Sequence, residues 1–245
     1  MNKAFVLDYP VALDPKEDLL ASLRQNLASG HHQHVVTLNP EMLMAGEQNS
    51  RLEKILKSAD LILPDGAGVV WALRHKKNLP VRRIPGIDFS DALITHAAAH
   101  QESIALIGAS PEVNAATETA LKQKYPGLVI SYRHHGFSED KALIAQECAD
   151  THPKYVFVAL GVPNQEFWIE EFKPFFTQPT AFIGVGGSFD VWSGTKKRAP
   201  ALFCRLNLEW LYRITFEPWR FGRVYKPLPS FVFRILTEKD SVNSN

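Results

Sequence analysis

The chain is poor in cysteine, has no long apolar run, and carries almost no net charge: two cysteines in 245 residues and a formal charge of +1. Cys148 and Cys204 lie far apart and match neither a metal-ligand nor a disulfide spacing, which fits a reducing cytoplasm. Nowhere do the roughly 18 successive apolar residues of a membrane span occur. The opening MNKAFVLDYPVALD is too short in its apolar part, and too soon interrupted by an acid, for a secretory signal. GxxxxGK[ST], HExxH, GxSxG and CxxC are missing, as is an Asp-x-Asp pair to hold a divalent cation under a nucleotide diphosphate. The stretch GVGGSF (184–189) leaves GxGxxG incomplete and stands too late for a first strand-helix turn.

What the chain does have is an ordinary globular composition, 45% hydrophobic and 22% charged. Its length suits one large domain, or one domain with an appendage. Short β-branched runs recur: AFVL (4–7), HVVTL (34–38), LIL (61–63), IALIG (104–108), LVISY (128–132), YVFVALG (155–161) and AFIGVGG (181–187). Several are apolar on both faces, the signature of strands buried in a helix-covered parallel sheet. The segments between them, such as 111–127, have helical periodicity and stop at Pro-Gly. The fold class expected is α/β: a Rossmann-like, doubly wound, mostly parallel sheet over residues 1–194.

From residue 195 the pattern changes to a largely helical, basic and aromatic appendage, 195–245. Between Thr195 and Ile235 nine basic residues face two acidic ones, while the rest of the chain holds 18 basic and 24 acidic. Lys197, Arg198, Arg205, Arg213, Arg220 and Arg223 are interleaved with Trp210, Tyr212, Phe216, Trp219 and Phe221. Such a tail suits an anionic partner. Nucleic acid is one candidate, but near-neutral overall charge and a strong α/β body favour anionic lipid, with aromatics at the bilayer interface.

Open parallel sheets bind ligands beyond the carboxyl ends of their strands, so the turns there carry the functional reading. They hold Thr37 and Asn39, Asp65 with Gly66 and Gly68, Gly108, His134–Gly136, Gly161 with Gln165, and Gly186, Gly187, Ser188 and Asp190. Glycine lets a backbone approach a ligand closely, and helix N-termini attract phosphate. Each feature also has a plainer reading: a glycine-rich turn is often packing, the two histidines are structural, and Asp65 is a helix cap. Their convergence on one sheet edge is what argues for a cleft.

Seven stretches resemble one family: TLNPEML (37–43), ADLILPDGAGVVWA (59–72), RIPGIDF (83–89), LIGAS (106–110), ALGVPNQEFWI (159–169), GVGGSFDVWSGTKKRAP (184–200) and LNLEWLYRITFEPWRFGR (207–223). Their order and content are similar to the WecG/TagA/CpsF glycosyltransferases, also called glycosyltransferase family 26, over about residues 3–235. The resemblance implies inverting, metal-independent transfer of a sugar from a UDP-sugar to a polyprenyl-diphosphate-linked sugar at the inner face of the cytoplasmic membrane. It implies no bound cofactor. It makes Asp65 the catalytic base and puts Thr37 and Asn39 in the same pocket. Arg83, Gln165 and Asp190 fall at substrate-contacting positions, and Arg213, Arg220 and Arg223 at positions that reach the acceptor's diphosphate. Asn164, where many members carry lysine, and Cys204 depart from the pattern.

On this reading a carboxylate takes the proton of the attacking hydroxyl. The growing charge on UDP falls to backbone amides near Gly186–Ser188, to Arg83 and to the basic tail. The small residues Gly66, Ala67 and Gly68 leave room for a sugar ring. N-acetylmannosamine, its uronic acid and glucose all fit as donor sugars. The partners expected are the UDP-sugar, the lipid-linked acceptor and anionic lipid of the inner leaflet; no nucleic acid is expected, and self-association into a homo-oligomer is left open. A non-catalytic UDP-sugar-binding regulatory module and a hexosyltransferase of capsule or exopolysaccharide assembly are the alternatives.

Overall fold

The computed structural model describes residues 1–137, 140–216, 222 and 227–237, the side chains of Lys76, Lys77, Arg213, Ile214 and Phe216 excepted. Six parallel strands form the central sheet: β3 (Gln33–Leu38), β4 (Leu61–Pro64), β5 (Ser103–Gly108), β6 (Val129–His134), β7 (Tyr155–Ala159) and β8 (Ala181–Gly184). Their spatial order is β4-β3-β8-β7-β5-β6, the Rossmann-like parallel α/β arrangement expected. The two outer pairs, β3-β4 and β5-β6, run toward opposite edges, and the last two strands fill the gap between them. That reversal of direction is the kind of switch point where such sheets bind ligands.

Successive residues of a strand face opposite sides, and here both sides are covered. Val35, Leu61, Leu106, Phe157 and Ile183 pack under α1 (Lys16–Ala28), α5 (Gly86–His100) and α6 (Pro111–Lys124). On the other side Ala105, Ile107, Val156, Val158 and Phe182 meet α7 (Lys141–Asp150) and α8 (Asn164–Phe172). Beside them Val36, Leu38 and Ile62 meet α2 (Pro40–Gln48), α3 (Ser50–Ser58) and α4 (Ala67–Lys77).

The run at 4–7 is not a strand of this sheet. It forms β1 (Lys3–Val6), paired antiparallel with β2 (Tyr9–Ala12), a hairpin that turns at Leu7 and Asp8 with φ of 48° and 64°. Neither turn residue is glycine, and Pro10 interrupts the strand pattern, so the second strand has no clear signal. The hairpin is amphipathic in effect: Val6, Tyr9 and Val11 close the core beside α2 and α4.

After α9 (Ser188–Trp192), the described part of residues 195–237 forms α10 (Ala201–Arg205), α11 (Glu209–Phe216) and α12 (Pro227–Thr237). Helix α12 sends Phe231 and Ile235, 0% and 1% exposed, into the same core as the hairpin. Gly68 faces the Phe231 ring, with 3.2 Å from its absent Cβ position to the ring carbon Cε1. The C-terminal segment is therefore fastened to the body by apolar burial. Truncating Phe231 to alanine removes a buried aromatic and leaves a cavity. We expect Phe231→Ala to lower unfolding free energy by about 3–5 kcal/mol, read as a shifted urea midpoint.

Candidate active site

The chain leaves β3 and β4 side by side, because Thr37 pairs with Leu63 and Leu38 with Pro64. Asn39 then caps α2, its Oδ1 accepting from the Met42 amide at 3.0 Å, and Pro40 at the first helical position needs no such partner. Gly66 N–H donates to the Leu38 carbonyl at 3.0 Å, tying the two strand ends together. Helix α4 starts at Gly66 without a side-chain cap. Asp65, the residue whose sequence context allowed a capping role, makes a different contact.

The loop between α4 and α5 brings Arg83 back to the end of β4. The Arg74 guanidinium holds this loop through the Val81 carbonyl, at 2.9 and 2.7 Å, and Ile84 N–H donates to the Pro64 carbonyl at 3.0 Å. Arg83 Nε donates to the Asp65 backbone carbonyl, and its Nη2 donates to Asp65 Oδ1 at 2.9 Å. The same Nη2 lies 3.2 Å from Oε2 of Glu209, the first residue of α11. Burial pushes the Asp65 carboxyl above its ordinary range; Arg83 and the Gly86 amide pull it down, and Glu209 adds to the rise. Burial alone would lower Arg83, but the two carboxylates outweigh it and keep the guanidinium charged.

Two clefts meet at this cluster. One, about 470 Å³, runs along the carboxyl edge of the sheet and is lined by Thr37, Asn39, Asp65, Arg83, Gly161, Gln165, Gly186, Gly187, Ser188 and Asp190, together with Glu41 and Glu209. The other, about 420 Å³, lies under the C-terminal helices, with Pro40, Ala67, Trp71, Trp210, Leu228 and Phe231 in its wall. Asn39, Glu41, Asp65, Arg83 and Glu209 border both.

Gly108 and Gly136 stand just behind the first cleft. Gly108 has φ of +113°, and its bare Cα lets the Ala159 carbonyl approach; Gly136 packs against Leu160 and Ala109. Their glycines serve packing between turns. Gly66 and Gly68 line the apolar cleft and are also packed closely: Cβ atoms there would meet Asn39, Pro40 and Phe231, so the bare backbone admits helices α2 and α12. The amides near Gly186 are largely engaged as well. Gly186 N–H donates to Gln165 Oε1 at 3.1 Å and Ser188 N–H to the Val185 carbonyl at 3.0 Å.

Of the basic tail, Arg198 pairs with Asp88 at 2.6 Å, and Lys196 with Asp190 at 3.1 Å. Lys197 and Arg205 are exposed. Arg220 and Arg223, and the side chain of Arg213, lie outside the described residues. Among the described residues no three His, Cys, Asp or Glu side chains converge as a metal site, and no helix is long and apolar enough to cross a membrane.

Glu209 and Glu166 were not singled out from sequence. Glu209 stood only as an acid against the charge of its segment, and the one hint was its solitude among arginines. Glu166 sits directly behind the cleft, 1% exposed, its Oε1 accepting from Gln165 Nε2 at 2.8 Å. Its Oε2 has no hydrogen-bond partner among the described residues. Burial pushes this carboxyl up to about 7.

A carboxylate is thus held at the carboxyl edge of a Rossmann-like sheet, where a polar and an apolar cleft meet. Comparison with known proteins names the family. The description "Glycosyl transferase WecG/TagA/CpsF family" matches residues 5–244, and the chain belongs to that family of glycosyltransferases. It is similar to three proteins called N-acetylglucosaminyldiphosphoundecaprenol N-acetyl-beta-D-mannosaminyltransferase. The one from Bacillus spizizenii is 41% identical over 202 residues, 82% of this chain and 78% of the relative. That from Bacillus subtilis strain 168 is 38% identical, covering 84% and 79%, and that from Staphylococcus aureus strain NCTC 8325 is 35% identical, covering 85% and 81%.

The Glu166 carboxyl yields a pH test. Unfolded, it titrates at the ordinary glutamate value of about 4.5; folded, at about 7. Below the lower value both states hold the proton, and between the two only the folded state does, so stability falls as pH rises through that window. The loss amounts to about 3 kcal/mol above pH 7. We expect Glu166→Gln, which cannot ionise, to gain stability relative to the parent by up to that amount between pH 5 and pH 8, measured by urea denaturation. An unchanged difference between the two pH values would place the carboxyl in a wetter setting.

Proposed function

We propose that the chain transfers N-acetylmannosamine from its UDP donor to the GlcNAc of GlcNAc-diphosphoundecaprenol, with inversion and without a metal, and that Asp65 is the general base. The observation that carries this reading is the placement of Asp65 at the seam of the two clefts. The sugar nucleotide takes the polar cleft along the sheet edge, with Thr37, Asn39, Gln165 and Asp190 on its wall. The lipid-linked sugar enters from the apolar cleft. Its hydroxyl oxygen attacks the anomeric carbon from the face opposite UDP, its proton passes to Asp65, and the carbon–oxygen bond to the diphosphate breaks with its electrons going to UDP. The relatives' names support the choice of sugar and acceptor.

The described lining of the polar cleft contains four carboxylates, Glu41, Asp65, Asp190 and Glu209, and one guanidinium, Arg83. A diphosphate is poorly matched to it. Arg83 is committed to two carboxylates, so its expected part in binding the donor diphosphate becomes a supporting one. The cations that receive the leaving group are then those of the tail, Arg213, Arg220 and Arg223 among them. The test supplies UDP-N-acetylmannosamine and the lipid acceptor to the purified protein and reads product mass and anomeric configuration. We expect Asp65→Asn to keep its UDP affinity by calorimetry and to lose turnover by about 10²–10⁴-fold. Near-normal turnover in that variant would remove Asp65 from the role.

Peripheral attachment at the inner leaflet follows from the same reading. Leu202, Leu206, Trp210, Leu211, Phe233 and Leu236 are exposed on α10, α11 and α12, close in sequence to Lys197 and Arg205. Aromatic and leucine side chains favour the interface, and each cation near anionic lipid adds about 1 kcal/mol. The doubly substituted Leu202→Glu/Leu206→Glu protein should sediment less with anionic vesicles and lose activity on the lipid acceptor, at unchanged melting temperature. Equal sedimentation of parent and variant would move the docking face elsewhere.

A further inference from the structure

Glu209 borders both clefts and is 3% exposed. Its Oε2 reaches the one nitrogen of Arg83 that also holds Asp65 Oδ1, at 3.2 and 2.9 Å. The contact spans 126 positions of sequence and joins the first turn of α11 to the end of β4. We propose that Glu209 is a positioning residue that sets the strength of Asp65 as a base by sharing Arg83, and that it ties that strength to the seating of α11 on the body. The proposal rests on Asp65 being the base.

The physical argument concerns how a carboxylate becomes willing to take a proton. A carboxylate with a guanidinium to itself is stabilised as the anion and is a weak base. Arg83 binds Asp65 twice, through the backbone carbonyl and the side chain, which fixes its orientation and costs it basicity. A second carboxylate on the shared nitrogen divides the cation's field and adds a like charge nearby. Asp65 keeps its orientation and regains proton affinity.

Other groups among the described residues act on the pair. Glu41 borders the same two clefts, the Gly86 amide donates to Asp65, and Arg198, paired with Asp88, also acts electrostatically on Glu209. A residue serving only to anchor α11 gains nothing from choosing the base's own partner, and burying a carboxylate there is costly. Since α11 also carries Trp210 into the wall of the apolar cleft, the helix that closes the acceptor's side is the helix that tunes the base.

The experiment measures kcat/KM against pH for the full-length protein in anionic vesicles bearing the lipid acceptor, comparing the parent with Glu209→Gln, Glu209→Asp and Trp210→Ala. Glu209→Gln keeps the shape and a hydrogen-bond acceptor but loses the charge. We expect it to move the acid limb to lower pH and to lower plateau kcat by roughly 3- to 10-fold, the consequence of a weaker base. Glu209→Asp restores part of both. Trp210→Ala raises KM for the lipid acceptor and leaves the limb in place. An unmoved acid limb in Glu209→Gln, with the loss confined to KM or melting temperature, overturns the proposal in favour of simple anchoring. Should Glu209→Gln not fold, a limb displaced in the same direction in Glu209→Asp sustains the proposal, and an undisplaced one ends it. Asp65→Asn separates the two readings: if it stays active, the base assignment fails and this proposal with it; if it is inactive while the Glu209→Gln limb is unmoved, only the Glu209 role fails.

Discussion

One guanidinium nitrogen bonded to two carboxylates from opposite ends of the chain is the contact on which the site's geometry depends. Arg83 belongs to the loop after α4, Asp65 to the end of β4, and Glu209 to the first turn of α11. Without Arg83, Asp65 would lose the cation that orients it, and Glu209 would lose the ion pair that joins α11 to the loop after α4. Buried ion clusters seldom repay their desolvation, and apolar replacements are often more stable. A cluster of this kind at a cleft is better understood as a functional device than as a source of stability. It fixes a carboxylate in one orientation while keeping it able to accept a proton.

The sheet was legible because strands covered on both faces read as continuous apolar runs, and five of the six central strands show this plainly. The first hairpin was not. Its turn uses Leu7 and Asp8 at positive φ where glycine or asparagine would signal a turn, and Pro10 breaks its second strand. Asp65 was legible as a residue at a strand end, since position along the chain determines which edge it occupies. Its partner Glu209 was not, because the contact depends on how α11 lies over the sheet, and nothing local in sequence encodes that. Composition even pointed the wrong way, counting Glu209 merely as a reduction in the tail's positive charge.

Glycines illustrate the same limit more sharply. Gly66 and Gly68 beside Asp65 invite a ligand on sequence grounds and do line the apolar cleft, but their missing side chains also make way for Pro40 and for Phe231. The packing is nonetheless part of the chemistry. The bare Gly68 lets Phe231 of α12 pack closely beside α4, and α12 supplies Leu228, Phe231 and Val232 to the wall of the apolar cleft. Small residues here shape the site at second hand, by admitting the helices that enclose it.

The division of labour between body and C-terminal segment follows from charge. An acidic cleft would repel a nucleoside diphosphate, and four carboxylates against a single, already committed guanidinium make the described lining acidic. On the proposed reading the body supplies the base and a floor, while the compensating positive charge is concentrated past residue 195, where basic residues outnumber acidic ones nine to two up to Ile235. Separating them has a kinetic logic. A base in a low-dielectric cleft together with a bound sugar nucleotide risks transfer to water, and a site completed only when the cationic, apolar-faced helices are in place excludes water when the acceptor arrives. On the same reading, an anionic lipid surface that attracted those helices would also be where a polyprenyl-linked acceptor resides, so the electrostatic and hydrophobic forces that assemble the site would deliver its second substrate.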